Sequence, residues 1–191
     1  MRPMLLDGRI VHLRGDDGTL ASGLVSLGAA IAGDDGPVDL VVHVVTDPGD
    51  LVERPLAVTD AAEWQRRCDD VLTTAIASAK EAHRRLSPRG GRLVFVLPSL
   101  GLTGAAGLVP FTTAVEGVRA LAKTAARQWG EDGVTVACVA RHVAGPTVAL
   151  SSIDPPTDDD VAGVIALLTT EHAASVTGAT LVLDGGTVLV P

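Results

Sequence analysis

The sequence predicts an α/β protein in which a mainly parallel sheet is sandwiched between two layers of helices. Three observations lead there. Short apolar runs alternate along the chain with longer helical stretches, the rhythm of β-α units. The runs are continuous rather than alternating, as in "VDLVVHVV" at 38–45 and "GVTVACVA" at 133–140, so both faces of the sheet must be covered. The apolar mass is Val, Leu, Ala and Ile, in a chain that is 47% hydrophobic but only 2% aromatic.

The elements follow in order. "RIVHLRG" (9–15) predicts a strand ending in glycine, and "TLASGLVSLGAAIAG" (19–33) an Ala/Leu-rich helix. A second strand lies over 38–45, continuously apolar except for His43. After a Pro/Gly/Asp loop, residues 60–86 form a long helix, announced by Thr59-Asp60 and closed by basic residues. "GRLVFVLPS" (91–99) is the third strand, 111–130 the second long helix and 133–140 the fourth strand. Helix 158–173 carries acids on its first turn, where the helix dipole favours them. "TGATLVLDGG" (177–186) is the fifth strand. There is no internal repeat and no Ser/Gly linker, so residues 1–191 are read as one domain.

Charge and composition exclude several functions. The net charge is −8 with no basic stripe, which argues against nucleic acid and anionic membrane surfaces as partners. No stretch has the uninterrupted apolar length of a membrane span, and "MRPMLLDGRI" lacks a signal peptide's apolar region. A cytoplasmic location is expected. Cys68 and Cys138 have no CxxC spacing and are expected to be free thiols. There is no tyrosine, so no phenol can serve as acid or base.

From about residue 38 onward the chain resembles the short-chain dehydrogenase/reductase family, including its ketoacyl reductases. The stretch "GRLVFVLPSLGLTGAAGLVPFTTAVEGVRALAKTAARQWGEDGVTVACVA" follows that family without a gap. "EHAASVTGATLVLDGG" resembles its C-terminal strand, and "PLAVTDAAEW" the start of its long interface helix. The resemblance implies a truncated Rossmann-like fold with a five-stranded sheet in the family's order 1-4-5-6-7. Residues 1–37 would then be the remnant of the first β-α unit and 38–191 the family-like second half. The family's second and third strands would be missing, leaving the first strand as an exposed edge that a partner or the 34–37 loop must cover.

The family's functional residues do not carry over. The resemblance places Pro98 where the carbonyl-orienting serine stands, Phe111 at the tyrosine, Val115 at the lysine and Val71 at the relay asparagine. None of the four can transfer a proton or donate a side-chain hydrogen bond. The family's glycine-rich phosphate loop corresponds to Gly15, Asp16, Asp17 and Gly18. Only the first glycine is in register, and the two acids would repel a phosphate. NAD(P) is therefore not expected, nor any other cofactor, and no metal site is expected.

Two readings remain. The favoured one is a non-catalytic subunit that pairs with an active reductase relative or with itself. Its contacts would be helices 60–86 and 111–130 and the C-terminal strand, the family's assembly elements. The alternative is a cofactor-independent isomerase, lyase or cyclase using the vestigial cleft, with His43, Ser99, Thr112, Arg141 and His142 as candidates near the strand ends. Residual NAD(P)-dependent reduction is the third and least favoured.

Overall fold

A computed structural model describes residues 4–15, 18–143 and 155–188. Its elements are β1 (Ile10–Arg14), α1 (Thr19–Ser26), β2 (Ala30–Ile31), β3 (Leu40–Val44), α2 (Ala61–Trp64), α3 (Asp70–Leu86), β4 (Gly91–Pro98), α4 (Leu100–Thr103), α5 (Val109–Gln128), β5 (Val134–Arg141), α6 (Asp158–Leu168) and β6 (Thr180–Leu183). The sheet is six-stranded in the order β2-β1-β3-β4-β5-β6, and every pairing is parallel.

Both faces are covered, as continuous apolar strands require. Every residue of β3 is buried. One face packs Leu40, Val42, Val94, Val96 and Val139 against Leu20 and Leu24 of α1 and Val161 and Ile165 of α6. The other packs Val41, Leu93, Phe95 and Val136 against Ala75, Ala79 and Leu86 of α3 and Val115, Val118 and Ala122 of α5. Small alanines on α3 and α5 let those helices approach the sheet closely. The dominant contribution is apolar burial, about 1.5–3 kcal/mol for each fully buried Val, Leu or Phe side chain.

The sheet corrects the expected strand count. Helix α1 stops at Ser26 rather than running to 33, because Gly28 turns the chain at φ 99°. A Cβ there would sit 2.9 Å from the Asp7 backbone nitrogen, so the tight approach needs glycine. The chain then lays Ala30 and Ile31 along β1, giving hydrogen bonds from Ala30 N to Arg9 O (2.9 Å) and from Ala32 N to Val11 O (2.8 Å). The edge expected to be bare is thus partly paired. The buried Arg85 side chain also donates to the carbonyls of Gly33, Asp35 and Gly36, fixing the loop that follows.

The remaining differences are at element ends. The helix over 60–86 is interrupted by a π-helical turn at Gln65–Asp69. Its start is capped by the Asp60 carboxylate, which accepts from Glu63 N at 2.8 Å. Helix α6 opens on a capping box between Thr157 and Asp160, and it ends at Leu168 before a 3-10 turn at Glu171–Ala173. Strand β6 is only four residues. No helix among the described residues is long and apolar enough to cross a membrane.

Candidate functional site

The strands' C-terminal ends are where an open α/β sheet presents a ligand, and the described molecule has two distinct corners there. At the β4–α5 corner, Phe111 and Val115 are each 1% exposed and belong to the apolar core. Gly101 makes the packing tight, since a Cβ on it would lie 2.5 Å from Val115 Cγ1. Pro98 ends β4 in register with Arg141. Thr112 and Thr113 turn back on their own helix, with Thr112 Oγ1 donating to Leu108 O (3.1 Å) and Thr113 Oγ1 to Val109 O (2.8 Å).

The other strand-end candidates are dispersed. Ser99 is buried and its backbone nitrogen donates to Arg141 O at 2.8 Å. Arg141 forms an ion pair with Asp158 at 2.6 Å. His142 Nδ1 lies 3.4 Å from Thr187 Oγ1. His43 pairs in register with Phe95, and Phe95 with Cys138. Ser99 and His142 therefore stand four residues further along their strands, about 13 Å beyond the His43 row. The structure brings together neither Ser99 with His43 nor the two histidines. Asp16, Asp17 and residues 144–154, between β5 and α6, lie outside the described residues.

The second corner is open. A cleft of about 420 Å³ is lined by Arg14, Gly15, the His43–Thr46 segment, Pro48 and, on the helical side, Arg66, Asp70, Val71 and Thr74. The π-helical turn supplies Arg66, and the first turns of α3 supply Asp70, Val71 and Thr74. His43 is 5% exposed and its Nδ1 has no hydrogen-bond partner. Burial first, and the Arg14 charge second, lower its pKa to about 4, so the imidazole is neutral at pH 7. Phe95 meets its ring edge-on at 5.8 Å.

The cleft's rim is held rigidly. Arg67 and Asp47 form a bidentate ion pair in which both side chains are almost fully buried. Arg67 also donates to Val52 O (2.9 Å) and Glu63 Oε1 (3.2 Å). Asp47 accepts from Gly49 N and Leu51 N, which closes the loop after β3.

Sequence reasoning missed two features. The first is the Asp47–Arg67 pair, whose members sit twenty residues apart with no motif spacing. The second is a polar cluster on β1, where His12, Asp34 and Glu81 bring three ligand-type atoms within 4.8 Å. Arg14 Nε donates to His12 Nε2 (3.2 Å), Arg14 Nη2 pairs with Glu81 (3.0 Å) and Arg85 lies 3.7 Å from it. Guanidiniums thus engage His12 Nε2 and Glu81, while Asp34 is exposed and lies 3.9 Å from His12 Nε2, and His12 Nδ1 has no partner. The alternation of His12 and Arg14 in "RIVHLRG" was the available signal.

At the N-terminus of α1, Thr19 Oγ1 donates to the Asp158 carboxylate. A protein carboxylate thus stands at a helix end suited to an anion. The thiols of Cys68 and Cys138 are free and buried, and burial pushes the Cys138 thiol up to about 12, leaving it inert.

Comparison with known proteins gives a consistent kinship. A family model described as enoyl-(acyl carrier protein) reductase matches residues 19–158. The chain is 29% identical over 179 residues to nodulation protein G of Azospirillum brasilense, covering 83% of this chain and 69% of that protein. It is 33% identical over 147 residues to cis-4-hydroxycyclohexanecarboxylate dehydrogenase of Sinomonas cyclohexanicum, covering 69% and 59%. It is 28% identical over 170 residues to a 3-oxoacyl-(acyl-carrier-protein) reductase of Staphylococcus epidermidis, covering 79% and 67%. The chain thus spans 59% to 69% of the length of these relatives. In fold it is similar to the solved structure of a dehalogenation enzyme, with a TM-score of 0.76 at 17% identity over 96% of this chain and 100% of that one.

Proposed function

The chain belongs to the short-chain dehydrogenase/reductase family, and from that premise we propose that it is a non-catalytic subunit. In this reading it does not carry out the family's hydride transfer. It assembles with itself or with an active reductase relative through its long helices and C-terminal strand. One observation carries the reading: Phe111 and Val115, which the resemblance places at the family's tyrosine and lysine, are core residues in a closed corner. Neither could reach a substrate oxygen even if it bore a polar atom.

A dinucleotide does not fit the residues present. Asp158 already meets Thr19 at the α1 N-terminus, and among the described residues the sheet beyond β1 has only Ala30–Ile31. The assembly surface in this reading is mixed rather than greasy. Ile76 is the one strongly exposed large apolar residue on α3 and α5, and the exposed positions of those helices include Thr73, Ala77 and Lys80 on α3 and Ala120, Lys123 and Thr124 on α5.

The test is direct. The purified chain should show no thermal shift with NADH or NADPH and no reduction of a 3-oxoacyl thioester. Cofactor-dependent stabilisation together with turnover would overturn the reading. Light scattering on the chain alone, and co-expressed with a reductase relative, should show an oligomer; a monomer in both settings removes the subunit role. The second reading, a cofactor-independent isomerase, lyase or cyclase, rests on the neutral His43 in its cleft. It requires turnover that His43→Leu abolishes.

A further inference from the structure

The open corner carries chemistry that the subunit reading does not use. Its lining is apolar along Val44, Val45, Pro48 and Val71, while the charges are set at its edges. The charged lining groups are Arg14, Arg66 and Asp70. Arg14 is engaged by Glu81 and His12. Asp70 accepts from the Gln65 amide at 2.9 Å. Arg66 is exposed and makes no ion pair among the described residues. At the wall stands His43, deeply buried, with a ring nitrogen that the described protein leaves without a partner. An orphaned buried polar atom costs about 1–3 kcal/mol, and this nitrogen is closed off within the wall, so the ring itself and not Nδ1 meets the cleft. The rim pinned by Asp47 and Arg67 keeps the space from collapsing.

We propose that this cleft binds a small organic monocarboxylate, with its carboxylate at Arg66, its apolar chain on Val44, Val45 and Val71, and the His43 ring at its wall. With Arg14 already paired with Glu81, the free charge at the cleft is the Arg66 guanidinium, which selects an anion. The predominantly apolar wall selects a ligand whose body is hydrocarbon. The single free guanidinium selects one negative group rather than a polyphosphate. The site is separate from the closed Phe111 corner and holds whether or not the chain assembles with a reductase.

The test uses the full chain and three probes of equal length: hexanoate, hexan-1-ol and hexylammonium. Titrations are followed by NMR of the His43 ring signals, assigned by their loss in His43→Leu. Hexanoate should shift them saturably, hexan-1-ol more weakly and hexylammonium not at all. Arg66→Glu should weaken hexanoate about fivefold or more, and Arg66→Gln should weaken it by less. Arg66 is a surface residue, so both variants should keep the parent melting temperature. Equal binding of hexylammonium, hexanoate shifts that bypass His43, or unchanged affinity in Arg66→Glu would each overturn the proposal. So would displacement of hexanoate by NADH, which would make the cleft a nucleotide site.

Discussion

Two corners of one sheet edge have met opposite fates. Where β4 runs into α5, Pro98, Phe111 and Val115 close the space, and Gly101 lets the packing reach contact distance. Where β1 and β3 end, Arg14, His43 and Thr46 border an open cleft with a pinned rim. The two corners share a sheet, a strand direction and a helical layer. They differ in side-chain chemistry: apolar residues with no polar duty collapse onto one another, whereas a buried histidine and fixed guanidiniums hold a cavity's walls apart. One corner of a sheet edge can thus be filled by side chains while its neighbour stays open.

The contrast can be broken experimentally, starting with the closed corner. Val115→Lys should cost about 3–5 kcal/mol, because a longer, charged side chain would be forced into a packed corner against Gly101, where the unpartnered Glu116 Oε1 is the acceptor at hand. Chemical denaturation would measure it, and a variant as stable as the parent would show that the corner is roomier than its packing implies. Breaking the rim comes next. Arg67→Ala leaves the Asp47 carboxylate buried and unpaired, so a loss of about 3–5 kcal/mol is expected, with weakened hexanoate binding.

Acidification tests the open corner without mutation. The His43 pKa of about 4 lies below its ordinary 6.5, so the unfolded chain takes up a proton in that interval and the folded one does not. Stability from keeping the ring neutral is complete above about pH 6.5 and drains away as pH falls through about 4. The total is about 3 kcal/mol. Denaturation series at pH 7 and pH 4 should show His43→Leu losing less than the parent, and equal losses would refute the assignment. Phe111→Tyr should cost about 1–3 kcal/mol for a hydroxyl buried without a partner, and it should restore no reductase activity. The smallest effect is at Arg66→Glu, within about 0.5 kcal/mol of the parent because the residue is exposed.

Much of the fold was legible before any coordinates. Continuous runs such as "VDLVVHVV" name strands buried on both faces, and the order of strand and helix leaves few topologies for a parallel sheet. The Thr59-Asp60 signal located a real cap at Asp60. The short strand Ala30–Ile31 was not legible, since two exposed residues carry no period and pair only because β1 offers them an edge. The π-helical turn was equally silent, because nothing in Gln65–Asp69 departs from a helical pattern.

The candidate site divides along the same line. By itself the sequence determined one thing that is absent, since a chain without tyrosine has no phenol to serve as acid or base in any conformation. Only the tertiary structure decided that His43 stands apart from Ser99 and His142, because that distance depends on strand register. Only it decided that His43 is neutral and unpartnered, because a pKa follows from burial and from neighbours brought in by other strands. Residue types set what a group can do, and packing sets which groups meet.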